Sequence, residues 1–177
     1  IMIIIVILIR NFLKSINHLY DLCDKRIGDD YKMLDKFRGK YYFLSNFYNA
    51  KVIYEGIEYL NNESAFQSCK LKDINKRKAF SNLDPSSAKR KGRHVQLRYD
   101  WEKVKFNIMY EIVKAKFEQN KDLRKRLINT RDEELIEGNT WGDKIWGKVN
   151  GKGQNNLGKI LMRVREELRE ERNDINE

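Results

Sequence analysis

Residues 50–70 read AKVIYEGIEYLNNESAFQSCK, and the fold class turns on that stretch. Val52, Ile53 and Tyr54 on one side, and Ile57 and Tyr59 on the other, favour a pleated surface, with Glu55-Gly56 between them. Two such runs around a tight turn predict a β-hairpin. After Tyr59 the character changes. Asn61 or Asn62 suits a helix N-cap, and Glu63 follows in the first turn, where an acid meets the positive end of the helix dipole. Residues 64–71 hold neither Gly nor Pro, so a helix is expected.

Upstream, Tyr41, Tyr42 and Phe43 make an aromatic segment that reads as a strand ending at Ser45-Asn46-Phe47. Downstream, residues 76–82 predict a short helix. Asp84-Pro85 starts another, with Asp84 as N-cap, Pro85 in the first position and Gly92 as its C-cap. Residues 101–120 carry Val104, Ile108, Ile112 and Ala115 at helical spacing, widened by Met109, Val113 and Phe117. Further helices are expected over 122–129 and 156–172, a short strand at 134–137, and a loop rich in Gly and Trp over 138–153. The strands are not followed regularly by long helices, which argues against a doubly wound sheet. The expected fold is α+β: a helix-rich single domain over 33–172 with a small antiparallel sheet.

The opening run, Ile1 to Ile9, is apolar but too short to span a membrane, and it has neither a charged flank before it nor a small-residue cleavage site after it. Residues 1–32 are therefore expected to be an appendage, with Met2 and Met33 as possible starts, and 173–177 a polar tail. The 177 residues carry a formal net charge of +10, a surface that attracts phosphates, nucleotides or nucleic acid. Cys23 and Cys69 form no CxxC, and with only His18 and His94 no zinc pattern can be written. No metal or other cofactor is expected, and the setting is read as reducing and cytoplasmic.

Three clusters carry chemistry. On a helix, Glu63, Gln67 and Lys70 fall at i, i+4 and i+7 and share one face. A carboxylate there can move a proton, an amide can hold a hydroxyl, and an amine can donate or attack. A solvated, salt-bridged helix face has the same spacing and is more common. Next, Trp141, Asp143, Trp146 and Gly147 lie in the glycine-rich stretch that runs through Asn155 into the last helix. Such a stretch offers indole faces for stacking and free N–H groups for a phosphate, or else simply turns and core. Finally, Ser45, Asn46 and Phe47 can bond a sugar or cap a turn. Neither a Walker A nor a GxGxxG pattern occurs. His94 reads as exposed, and Trp101 as a core anchor.

Taken in order, Phe43-Leu44-Ser45-Asn46-Phe47, Glu63-x-x-Phe66-Gln67-x-x-Lys70, Trp146-Gly147 and Gly153-x-Asn155-x-Leu157-Gly158-x-x-Leu161-Met162-x-x-Arg165 resemble the NADAR (YbiA-like) family from about Phe37 to Arg165. The resemblance implies an N-glycosidase acting on a ribose C1–N bond. Its substrates would be phosphorylated ribosylamino-pyrimidine intermediates of riboflavin synthesis, or ADP-ribose on guanine. Partners are then a phosphorylated ribosyl or ADP-ribosyl small molecule, with ADP-ribosylated nucleic acid as a further one and no membrane. It assigns Glu63 to proton transfer, and Lys70 to attack on C1 through a Schiff base or to holding a phosphate. Glu137 matches an acidic position of the family, Asp143 and Trp146 would shape the pocket mouth, and Asn155 would bond ribose or phosphate. The other class of reading is a non-catalytic module that binds ADP-ribose or nucleic acid.

Overall fold

The computed structural model describes residues 34–174, with side chains to residue 171. The appendage expected over 1–32 lies outside the described residues, as do residues 175–177 of the polar tail expected over 173–177, whose first two residues instead continue the last helix.

Strands β1 (Asn49–Tyr54) and β2 (Ile57–Asn61) form the expected antiparallel hairpin, with Val52 opposite Tyr59 and Tyr54 opposite Ile57. Glu55 at φ +46° and Gly56 at φ +75° supply the two left-handed residues that a two-residue turn needs to match the strand twist. Ile57, Tyr59 and Asn61 face inward while Glu58 and Leu60 face out. The Asn61 side chain then accepts from the Ser64 N–H at 2.8 Å and starts helix α1 (Asn62–Ser68). Every residue of α1 is buried, so it is an interior helix.

Helix α2 (Ile74–Arg77) runs into a 3-10 turn. In α3 (Pro85–Gly92), Asp84 caps the start by accepting from Ser87 N–H, and Pro85 occupies the first turn, as the sequence implies. Gly92, expected as the terminal cap, is instead the last helical residue, buried against the Gln67 side chain. Helices α4 (Trp101–Gln119), α5 (Lys121–Ile128) and α6 (Asn156–Asp174) complete the fold. Ile108, Met109, Ile112, Val113 and Phe117 of α4 and Leu157, Leu161, Val164 and Leu168 of α6 join β1, β2 and α1 in one core.

Two expectations need correction. The aromatic segment Gly39–Leu44 is a 3-10 helix, not a strand. Two of its carbonyls go to side chains instead of a neighbouring strand: Arg126 donates to Lys40 O at 2.7 Å and Lys116 to Phe43 O at 2.7 Å, with Lys116 donating also to Ser45 O, just past the segment, at 3.0 Å. Residues 134–137 make only an isolated parallel bridge, Leu135 with Leu34. Among the described residues the sheet has two strands, and no helix is long and apolar enough to cross a membrane.

Candidate active site

A cavity of about 640 Å³ opens beside α1, bounded by α3, the first half of α4, residues 37–47 and residues 137–146. Glu63, Gln67 and Lys70 all line it, so they mark the inner wall of a cavity and not a solvated face, although α1 ends at Ser68 and Lys70 stands in the turn after it and not on the helix as expected. Glu63 is 6% exposed, and the Gln67 amide donates to its carboxylate at 2.9 Å. Burial pushes the Glu63 carboxyl above its ordinary value, against the opposing pull of Lys89, the Gln67 bond and Lys70. The Lys70 ammonium donates to Gly92 O at 2.8 Å. Burial lowers its pKa; Glu63 opposes that shift, while Arg93 and Lys89 reinforce it.

Glu137 is the second acid on the wall. Burial, then the charge of Asp143, raise its pKa to about 7, and its Oε2 is buried without a partner. Asp143 also lines the cavity, but it is a turn-former too: its Oδ1 accepts from Ile145 N–H at 3.0 Å and Trp146 N–H at 2.9 Å. Asn139 locks this turn, accepting from Asp143 N–H and donating to Asp143 O. The apolar wall is a chain of rings. Phe66 sits 5.1 Å from Trp101 and 5.3 Å from Trp146, which in turn lies 5.3 Å from Phe106. Trp101 is thus core anchor and cavity wall together, while Trp141 is half exposed at the mouth.

Ser45, Asn46 and Phe47 reach the cavity as well. Ser45 Oγ accepts from Phe47 N–H, and Asn46 O accepts from Glu63 N–H at 3.1 Å, which ties this segment to the start of α1. Gly147 and Asn155 stand behind the wall. A Cβ on Gly147 would meet Glu137 O at 2.1 Å, so glycine permits that close approach. Asn155, at φ +53°, accepts from Glu137 N–H at 3.0 Å and donates to Leu135 O at 2.9 Å. Its amide is occupied in fixing the backbone that carries Glu137. The N–H groups expected to hold a phosphate at the start of α6 are taken as well. Those of Asn155, Asn156 and Leu157 donate to the carbonyls of Gly147, Ile145 and Trp146.

Sequence reasoning missed the cations that line the cavity: Arg38, Lys89, Arg93 and Lys105. Their only sequence signal is basic residues at helical spacing, which reads as a wet surface. Among the described residues no group of three or more His, Cys, Asp or Glu is arranged to hold a metal. The arrangement can do proton transfer at two acids of raised pKa, nucleophilic attack by an amine of lowered pKa, and anion binding, all beside an aromatic wall.

A family model described as the NADAR domain matches residues 34–169. The N-glycosidase YbiA of Escherichia coli (strain K12) is 38% identical over 128 residues, 70% of this chain and 79% of its own. The riboflavin biosynthesis protein VVA0006 of Vibrio vulnificus (strain YJ016) is 38% identical over 132 residues, 72% of this chain. Those residues are 36% of the Vibrio protein, so the chain spans about a third of its length. The NMR structure of E. coli YbiA matches with a TM-score of 0.69 at 34% identity, covering 81% of this chain and 91% of that one.

Proposed function

Because the chain belongs to the NADAR domain family and is a glycohydrolase like its N-glycosidase relatives, we propose that it hydrolyses the C1–N bond of a phosphorylated ribosylamino-pyrimidine. The name of the Vibrio vulnificus relative supports that substrate class. The observation that carries the reading is that Glu63 of the buried helix α1 and the half-buried Lys70, two residues past the end of that helix, share a cavity walled by Phe66, Trp101 and Trp146.

The chemistry follows from the environment of each group. The Glu63 carboxyl holds its proton more firmly than a surface acid, so it serves as the donor to the ring oxygen or the leaving nitrogen. The Lys70 amine, more readily neutral than an exposed lysine, adds to C1 as the base departs with the C–N electron pair and a proton. The ribosylamine so formed returns a proton to Glu63, its nitrogen lone pair expels the ring oxygen, which takes that proton, and the imine of the opened sugar then takes up water, releasing ribose phosphate and restoring the amine. One water is consumed and nothing is oxidised. Ser45, Asn46, Phe47 and Gln67 orient the sugar, Trp141, Asp143 and Trp146 shape the mouth, and Gly147 and Asn155 hold Glu137 in place. A reducing, cytoplasmic setting belongs to the proposal and suits the free, buried Cys69.

The test is a product assay on two substrates in parallel, a ribosylamino-pyrimidine phosphate and ADP-ribosylated guanosine. Release of ribose phosphate from the first is expected, and release of ADP-ribose from the second alone would move the reading to that class. Borohydride should trap a covalent adduct that is lost in Lys70→Ala. Turnover of neither substrate, or full activity in both Glu63→Ala and Lys70→Ala, would sink it.

A further inference from the structure

Beside the cavity lies a second hollow of about 290 Å³, lined by Phe47, Ser86, Lys89, Arg90 and Arg93. Phe47, Lys89 and Arg93 line both spaces, so the two adjoin. Ser86, Lys89, Arg90 and Arg93 recur at i, i+3, i+4 and i+7 and so share one face along α3 and its end. Gly92 packs on Gln67 and docks that helix against α1. The Lys89 ammonium stands at the seam, 5.4 Å from the Phe47 ring and 6.0 Å from the Trp141 ring.

Among the described residues no acidic side chain lines this hollow. Several other cations of the protein are paired with acids: Arg77 with Glu55, Arg98 with Asp100, Arg124 with Glu171, and Arg169 with Asp132. Among the described residues Lys89, Arg90 and Arg93 make no ion pair; Arg90 reaches only the Ser87 hydroxyl, at 3.0 Å. Three cations on one face repel one another, with only the more distant charges of Asp84, Glu63 and Glu137 to offset them, and an incoming anion relieves that.

We propose that this hollow is the phosphate subsite of the enzyme, in which Lys89, Arg90, Arg93 and Ser86 take the phosphate of the substrate while its C1–N bond stands before Glu63 and Lys70. The inference rests on the N-glycosidase reading and adds where the phosphate binds and what reads it. The arginine forks match phosphate oxygens, the Ser86 hydroxyl donates a further bond, and Phe47 lies beneath the sugar. The charge of Lys89 also acts on Glu63 and Glu137, holding both carboxyls more acidic than burial alone would make them. A phosphate that neutralises Lys89 therefore favours their protonated forms, so substrate binding readies the acid.

Arg90 and Ser86 line only the outer hollow, so substituting them leaves the cavity wall unchanged. Arg90→Gln, Ser86→Ala with Arg90→Gln, and wild type are compared on the phosphorylated riboside and its dephosphorylated counterpart. The variants should raise KM for the phosphorylated substrate about tenfold, for loss of one charge-assisted contact. Neither kcat nor the KM of the dephosphorylated substrate should change. Inorganic phosphate, followed by calorimetry, should bind wild type and bind the double variant at least several-fold more weakly. Variants that handle both substrates as wild type does, or lose equally on both, would overturn the subsite. If wild type turns over neither substrate, the N-glycosidase reading is what has failed. The calorimetry then still decides the subsite, since equal phosphate binding by wild type and the double variant would reject it.

Discussion

Glu137→Gln should make the protein more stable in mild alkali while removing a titrating group from the candidate active site. The carboxyl goes from its ordinary 4.5 to about 7 in the fold, with burial as the first cause and Asp143 as the second. Between those two values the folded protein keeps a proton that the unfolded chain has released. Stability therefore falls as pH rises from 4.5 to 7, and above 7 the whole penalty is present. At roughly 1.4 kcal/mol per pH unit the penalty is about 3 kcal/mol, and about 1–3 kcal/mol once the residual exposure of the side chain is allowed for. Glutamine has the same shape and no charge. Urea titrations at pH 5 and pH 8.5 should give Glu137→Gln only about a quarter of its advantage over wild type at the lower pH, and the full gain of about 1–3 kcal/mol at the higher. Other titrating groups cancel in the difference. A gap that is the same at both pH values would refute the account of Glu137 as an acid held protonated by its surroundings. The pH profile of kcat provides the functional counterpart, since a wild-type limb near pH 7 should be missing in the variant.

Gly92→Ala drives a Cβ to 2.0 Å from Gln67 Oε1 and, less avoidably, to 2.9 Å from Gln67 Cβ. The amide can swing but the Cβ cannot, so α3 must lift from α1; an overpacking cost of about 1–3 kcal/mol in a thermal melt is expected, with kcat falling as Gln67 releases Glu63. Lys116→Met leaves Phe43 O and Ser45 O without their donor, a loss of about 1–3 kcal/mol for each carbonyl, offset by removal of the buried amine. Burial takes that amine down to about 7 from 10.5, so the fold gives up this proton before the unfolded chain does and wild type gains stability between pH 7 and 10.5. Denaturant titrations should accordingly show the Lys116→Met deficit growing from pH 7 to pH 9.5, and a constant deficit would contradict the buried position of the amine.

What could be read in advance was local. The hairpin, the Asn61 and Asp84 caps and the apolar stripes of α4 and α6 each depend on residues within a few positions of one another, and each is where the sequence puts it. The 39–44 segment was misread because aromatic residues suit a strand only when a neighbour supplies the ladder. Here Arg126 and Lys116 reach its carbonyls from more than 70 positions away. Lys116 itself, 1% exposed on the apolar face of α4, had no sequence signal at all, since a lysine in a long helix ordinarily extends its stem to reach water. The same limit hid Lys89 and Arg93, whose place in the cavity follows from how closely glycine lets α3 approach Gln67.

The polar line on α1 was legible, but its meaning was not. Glu63, Gln67 and Lys70 have the spacing of a solvated face, and only the burial of the whole helix changes the reading. An acid and an amide set on an interior helix cost free energy that an apolar pair would avoid, and the Gln67 Oε1 and Glu137 Oε2 atoms lack partners altogether. Gln67 Oε1 is turned onto Gly92 of α3 and not into the cavity, so its lost hydrogen bond is part of what it costs to dock α3 closely enough on α1 for Lys89 and Arg93 to reach the same cavity as Glu63.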